Sequence, residues 1–138
     1  MSYLLDTCIL SEFKKKRPEQ KVISWLDAQL EESLFLSALT IGEIQKGITL
    51  LPTSKRRTDL ENWLESIIYR YDARILPLNT EVMQRWGELT GKFEQKGRVL
   101  PFLDSLIAAT ALAHGLVLIT RNENDFAGTG VTVMNIWK

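Results

Sequence analysis

A chain of 138 residues, 45% hydrophobic and 25% charged, has the size and balance of one globular domain, which excludes a disordered chain. Its formal net charge of +0 excludes a whole-chain basic field for nucleic acid. A single cysteine and a single histidine exclude an intrachain disulfide, a cysteine-based zinc site and any mechanism built on two imidazoles. No apolar run reaches the roughly 18 residues of a membrane span. The start, Met1-Ser2-Tyr3-Leu4-Leu5-Asp6, lacks the basic residues and long apolar stretch of a secretory signal. A cytoplasmic protein without membrane contact is expected.

The predicted elements alternate in type along the chain. Tyr3-Leu4-Leu5 predicts a short buried strand, and Ile9 to Phe13 a helix after it. Pro18 marks the start of a second helix with Val22, Trp25, Leu26 and Leu30 on its apolar face. Leu34 to Ser37 predicts the second strand. Ile41, Ile44, Ile48 and Leu51 mark a helix that Pro52 stops. Leu60, Trp63, Leu64, Ile67, Ile68 and Tyr71 recur at helical spacing and form one broad apolar stripe. Arg74 to Pro77 predicts a third strand. Val82, Trp86, Leu89 and Phe93 then mark a helix that ends before Gly97. Ser105 to His114 is apolar almost all round, so it predicts a buried helix, with Gly115 as its cap. Leu116 to Thr120 and Val131 to Met134 complete the strands. Such β-α alternation predicts an α/β fold: a parallel sheet of about five strands with helices on both faces.

Open α/β sheets bind ligands beyond the carboxyl ends of their strands. Asp6 directly follows the first strand, where it suits either that crevice or the N-cap of the next helix. Glu43 completes Thr40-Ile41-Gly42-Glu43, a capping-box pattern that accounts for it locally. Asp104 stands before the buried helix and fits an N-cap there too, but a carboxylate at that depth needs a cation, a hydrogen-bond network or a metal. Asn122 and Asp125 lie in a polar turn after the strongest strand, beside the solvated Glu123 and Asn124. Each residue has a local explanation. Their joint placement at successive junctions that could share one edge points to a cation, because gathered carboxylates repel one another and a divalent ion reverses that penalty. Carboxylates favour magnesium or manganese. The basic clusters Lys14-Lys15-Lys16-Arg17 and Lys55-Arg56-Arg57 permit a nucleic-acid contact, and two solvated faces explain them as well.

Four segments together resemble PIN-domain ribonucleases, and most closely the VapC-type toxins of bacterial VapBC toxin–antitoxin pairs, including the FitB-like branch. They are Leu4 to Glu12, Leu36 to Ile44, Phe102 to Ala111, and Leu118 to Asn122 with Asp125-Phe126. The resemblance implies one PIN domain over 1–138, an α/β/α sandwich. It assigns Asp6, Glu43 and Asp104 to the family's first three acids and Asn122 to the fourth, with Thr7 and Thr120 as supporting hydroxyls. Cys8 departs from the asparagine common there, and Asn122 brings less charge than an acid, so Asp125 is an alternative to it.

The implied activity is magnesium- or manganese-dependent hydrolysis of structured cellular RNA, of the tRNA or rRNA class, leaving a 5′-phosphate and a 3′-hydroxyl. Asp6 and Asp104 would be the principal metal ligands and Glu43 would hold water. Asn122 or Asp125 would complete the site. Arg121 and the Lys14, Lys15, Lys16, Arg17 run are the candidate RNA contacts, with Lys55 to Arg57 beside them. The resemblance also implies a cognate VapB- or FitA-like antitoxin and a homodimer. His114, at a helix end, is assigned a structural part.

Rival classes fail on particular residues. A phosphoacceptor receiver needs an aspartate after the third strand, where Leu76-Pro77-Leu78-Asn79 stands. An Asp-x-Asp phosphatase lacks its second acid at Cys8, and no glycine-rich phosphate loop follows a strand. The remaining alternative is a non-catalytic PIN-like module that binds RNA or protein.

Overall fold

The computed structural model describes residues 1–138. The strands are β1 (Tyr3–Leu5), β2 (Leu34–Ser37), β3 (Ile75–Leu76), β4 (Val117–Ile119) and β5 (Val133–Met134). The helices are α1 (Thr7–Phe13), α2 (Gln20–Asp27), α3 (Ala38–Thr49), α4 (Lys55–Tyr71), α5 (Thr80–Gln95) and α6 (Phe102–His114). All strand pairs are parallel, in the order β3-β2-β1-β4-β5. The chain therefore winds outward from β1 in one direction and, after β3, returns to the other side at β4. The gap between β1 and β4 is the switch point where open parallel sheets place ligands.

Alternation along the strands builds two cores. Leu4 and Leu118 turn to one face and pack with Leu89, Phe93, Ile107 and Ala111 of α5 and α6. Leu5, Leu36 and Ile119 turn to the other face, among Ile9, Val22, Ile44 and Leu64 of α1 to α4. The expected helices on both faces follow from this two-residue period, because the central strands β1 and β4 are buried on both sides. Residues Ser105 to Ala111 are buried in sequence, as the all-round apolar pattern predicts. Gly115 closes α6 in the left-handed region at φ 63, with Leu116 N–H on the Ala111 carbonyl at 2.9 Å.

Element ends differ from the pattern where capping decides them. Pro18 lies outside α2, and Leu30 is exposed beyond its end. Arg74 belongs to a short 3-10 turn, where its guanidinium reaches the Glu31 and Leu34 carbonyls, so β3 starts one residue later. Leu51 falls past α3, and Val131 and Thr132 precede β5.

Glu12, within the Leu4 to Glu12 match, is buried to 2% exposure at the end of α1. Its Oε1 accepts the Glu19 N–H at 2.7 Å and its Oε2 meets Lys15 Nζ at 3.0 Å. The Glu19 N–H does most to hold its carboxyl below the usual range, against the opposing effect of burial, with Lys15 assisting. That stabilisation is present at neutral pH and is lost as pH falls through the depressed value. Glu12→Ala is therefore expected to cost about 2–3 kcal/mol at pH 7, and less at pH 3, in urea unfolding.

Candidate functional site

The β1–β4 ladder and the β4–β5 ladder each continue one residue past the strands. Asp6 N–H donates to the Ile119 carbonyl at 3.0 Å, and Thr120 N–H to the Met134 carbonyl at 3.1 Å. Asp6 and Thr120 thus stand side by side at the carboxyl edge, across the switch point. Asp6 Oδ1 accepts the Thr7 N–H at 2.8 Å and caps α1. Its Oδ2 accepts the Thr120 hydroxyl at 2.8 Å. Capping and facing the crevice, which the sequence left as alternatives, are both done by the one side chain. Burial pushes the Asp6 pKa up, the Thr120 and Thr7 hydrogen bonds pull it back, and the charge of Asp125 adds to the rise.

Glu43 is not in a capping box. α3 starts at Ala38, capped by the Ser37 hydroxyl on the Leu39 N–H at 3.1 Å, so Glu43 lies in its second turn. Its Oε1 instead accepts the Thr7 hydroxyl at 2.9 Å. Thr40, buried one turn earlier on α3, lies 3.5 Å from that same hydroxyl. Thr40 belongs to the site and was not singled out. Its signal was the three-residue step to Glu43, which the capping pattern also explained.

Asp104 is not an N-cap either. α6 begins two residues earlier, behind Pro101, and Asp104 lies within its first turn. It reaches the edge from a helix that follows α5 rather than from a strand junction. Its pKa is raised to about 6 by burial first, then by the charges of Asp125, Asp6 and Glu43. Asp104 therefore feels the charges of carboxylates from three other segments at one edge. No three of the four carboxylates converge to the spacing of bound metal ligands.

The turn after β4 divides its two candidates. Asn122 is exposed and gives its backbone N–H to Thr120 Oγ1 at 3.1 Å. Asp125 is exposed as well, but its charge acts on both Asp6 and Asp104. Arg121, Asn122, Glu123, Asn124 and Asp125 line a polar cavity of about 240 Å³. Cys8, where the resemblance departs, puts Sγ 3.8 Å from Thr120 Oγ1. Burial pushes its thiol pKa up, so it stays protonated beneath the acids.

The basic runs are partly engaged elsewhere. Lys14 Nζ lies 5.8 Å from the Trp63 ring centre, and burial lowers its pKa, aided by Arg56. Lys15 is paired with Glu12, while Lys16 and Arg17 are exposed without an acid partner. Lys55 and Arg57 pair along α4 with Asp59 and Glu61. Exposed His114 ends α6, where the helix dipole favours a cation.

Carboxylate and carboxamide oxygens, without imidazole and with the only thiol protonated, form a donor set for a hard divalent cation. Burial first and then neighbouring like charges raise Asp104, and the repulsive part is a penalty such an ion removes. In chemical type, the residues present fit a hard divalent ion.

Residues 3–131 match the family model described as the PIN domain. The chain belongs to the PIN-domain family. The VapC ribonuclease Y4jK of Sinorhizobium fredii is 36% identical over 136 residues, 98% of this chain and 97% of its own. Toxin FitB of Neisseria gonorrhoeae is 35% identical over 135 residues, 97% of each chain. The crystal structure of FitAcB from the same organism superposes with a TM-score of 0.91 at 34% identity, over 98% of each chain. Asp6, Glu43, Asp104 and Asp125 stand on the framework of this PIN domain, a five-strand parallel sheet between two helical layers.

Proposed function

We propose that this PIN-domain protein is the ribonuclease toxin of a VapBC-type toxin–antitoxin pair. The observation that carries the reading is the acid edge itself: Asp6 held by Thr120 across the switch point, facing Glu43, Asp104 and Asp125. Its relatives bear the names of VapC ribonucleases and of toxin FitB. Its substrate is structured RNA of the tRNA or rRNA class, and it acts in the cytoplasm as one domain over 1–138.

Asp6, Asp104 and Glu43 would hold a magnesium or manganese ion, with Asp125 or Asn122 completing the set. When bound, the ion neutralises charge on the phosphate and makes water easier to deprotonate. Thr120 fixes Asp6 so that its free lone pairs face the crevice. Thr7 occupies one lone pair of Glu43 Oε1, which leaves Oε2 to orient the attacking water and take up its proton. Arg121, Lys16 and Arg17 supply the positive charge that an acidic edge needs beside a polyanion. Hydrolysis leaves a 5′-phosphate and a 3′-hydroxyl.

The partner is a VapB- or FitA-like antitoxin. FitB is seen in complex with FitA in a structure closely similar to this chain. An acidic edge suits an arginine from such a partner, since guanidinium forks match carboxylates. The toxin is a homodimer within that complex.

The decisive experiment uses protein freed of antitoxin and structured RNA, with magnesium or manganese and then EDTA. Metal-dependent cutting with 5′-phosphate ends is expected. RNA binding without any cutting by the metal-loaded protein would instead support the non-catalytic module, the reading that exposed Asn122 in an acid's place favours.

A further inference from the structure

The turn that follows β4 is held from the far end of the chain. Asn135 Nδ2 donates to the Arg121 carbonyl at 3.3 Å, and Asn135 Oδ1 accepts the Trp137 N–H at 2.9 Å. Lys138 Nζ meets Glu123 Oε2 at 2.7 Å. Between these ties the Arg121 guanidinium carbon lies 5.3 Å from the centre of the Trp137 ring. Three different interactions from Asn135, Trp137 and Lys138 thus converge on Arg121 and Glu123, next to the Thr120 that holds Asp6.

Trp137 is itself fixed. It packs against the core that contains Ile9, Val22 and Ile136. Its indole N–H is buried and has no hydrogen-bond partner. A ring anchored in this way presents its face to Arg121 at little entropic cost. The guanidinium, which forms no ion pair with a carboxylate, keeps its donors for another acceptor. The acceptor that matches a guanidinium fork is a phosphate oxygen; the adjoining polar cavity of about 240 Å³ is lined by Arg121, Asn122, Asn124, Asp125 and a Glu123 whose charge is paired with Lys138.

Resting on the ribonuclease reading above, we propose that Trp137 is a positioning residue for substrate. Its ring seats Arg121 so that the guanidinium takes an RNA phosphodiester in the cavity of the Arg121–Asp125 turn. Trp137 acts through Arg121 and touches no reacting atom. The flexible arginine is pre-organised by a cation–π contact before RNA arrives, which lowers the cost of ordering it on binding.

The test is RNA binding in EDTA, where cleavage cannot interfere, with the full chain and a labelled single-stranded RNA of mixed sequence. Arg121→Gln is expected to weaken binding about tenfold and to reduce the salt slope by roughly 0.7, the loss of one phosphate contact on a single strand. Trp137→Leu is expected to weaken binding about threefold to fivefold, and Trp137→Phe, which keeps a ring, by under about twofold. In the Arg121→Gln background, Trp137→Leu should change nothing further, because the seat then has no occupant. Equal losses from Trp137→Leu with and without Arg121, or wild-type binding by Trp137→Leu, overturn the proposal. Should Trp137→Leu not fold, the wild-type indole signal in nitrogen-15 NMR decides it. RNA must shift the Trp137 signal in wild type and leave it in place in Arg121→Gln. A wild type that cuts RNA but gives no such shift sinks this inference alone, whereas a wild type that neither binds nor cuts RNA sinks the ribonuclease reading with it.

Discussion

Asp6→Asn lowers RNA cleavage at saturating magnesium by about a thousandfold or more, with little change in melting temperature. The size follows from what the side chain does in the proposed reaction. Removing the charge from a principal ligand forfeits several kcal/mol of transition-state stabilisation, and each ~1.4 kcal/mol is tenfold in rate. Stability changes little because an asparagine can keep both neighbours. Its carbonyl oxygen can cap the Thr7 N–H, as Asp6 Oδ1 does at 2.8 Å. Its amide can donate to Thr120 Oγ1, which now donates to Asp6 Oδ2 at 2.8 Å. The measurement is single-turnover cleavage beside thermal unfolding. Wild-type cleavage by the purified variant would trace the activity to a contaminant and remove Asp6 from the site.

Asp104→Asn also abolishes cleavage, but its effect on stability has the opposite sign to the usual loss of a buried group. Folding raises the Asp104 pKa from 3.8 to about 6. Between those values the unfolded chain has released its proton while the folded chain still holds it. Stability therefore falls as pH rises through this window, and the deficit is complete above about pH 6. Asparagine removes the deficit. The metal-free variant is expected to melt about 2–4 °C above wild type at pH 7.5, since the side chain is only half-buried and solvent screens part of the effect. At pH 3.5 the two should melt together. Metal binding has the converse dependence: below about pH 6 a proton competes for Asp104, so manganese affinity in wild type should drop about tenfold per pH unit. Calorimetry across pH 3.5 to 8 checks both. A variant less stable than wild type at pH 7.5 would mean that Asp104 is not crowded by like charges.

Both effects depend on residues whose identities are plain in the chain and whose environments are not. Asp6 reads as a carboxylate after a strand in any α/β sequence. The order β3-β2-β1-β4-β5 makes that strand a neighbour of β4, 114 residues away at the Thr120–Asp6 hydrogen bond. Glu43 and Asp104 show the limit of local patterns. The motif at Thr40 to Glu43 satisfies a capping box, but the Ser37 hydroxyl caps the Leu39 N–H and moves the helix start back by a turn. Pro101 does the same for Asp104, because a proline before the first turn starts α6 earlier than its apolar run suggests. In both cases the misplaced start hid a carboxylate aimed at the edge. Arg121 was legible as a candidate RNA contact, but its contact with Trp137 was not, since it spans the return of the chain to β5.

By itself the sequence determined the alternation of strands and helices, the two-sided burial of the sheet and the acids available for chemistry. These rest on periodicity and residue type, which are local. Only the tertiary structure decided that Asp6 lies beside Thr120, that the charge of Asp125 reaches Asp6 and Asp104, and that Arg121 lies over the Trp137 ring. Those pairings join segments far apart in the chain, and strand order, which local spacing does not encode, sets which of them meet.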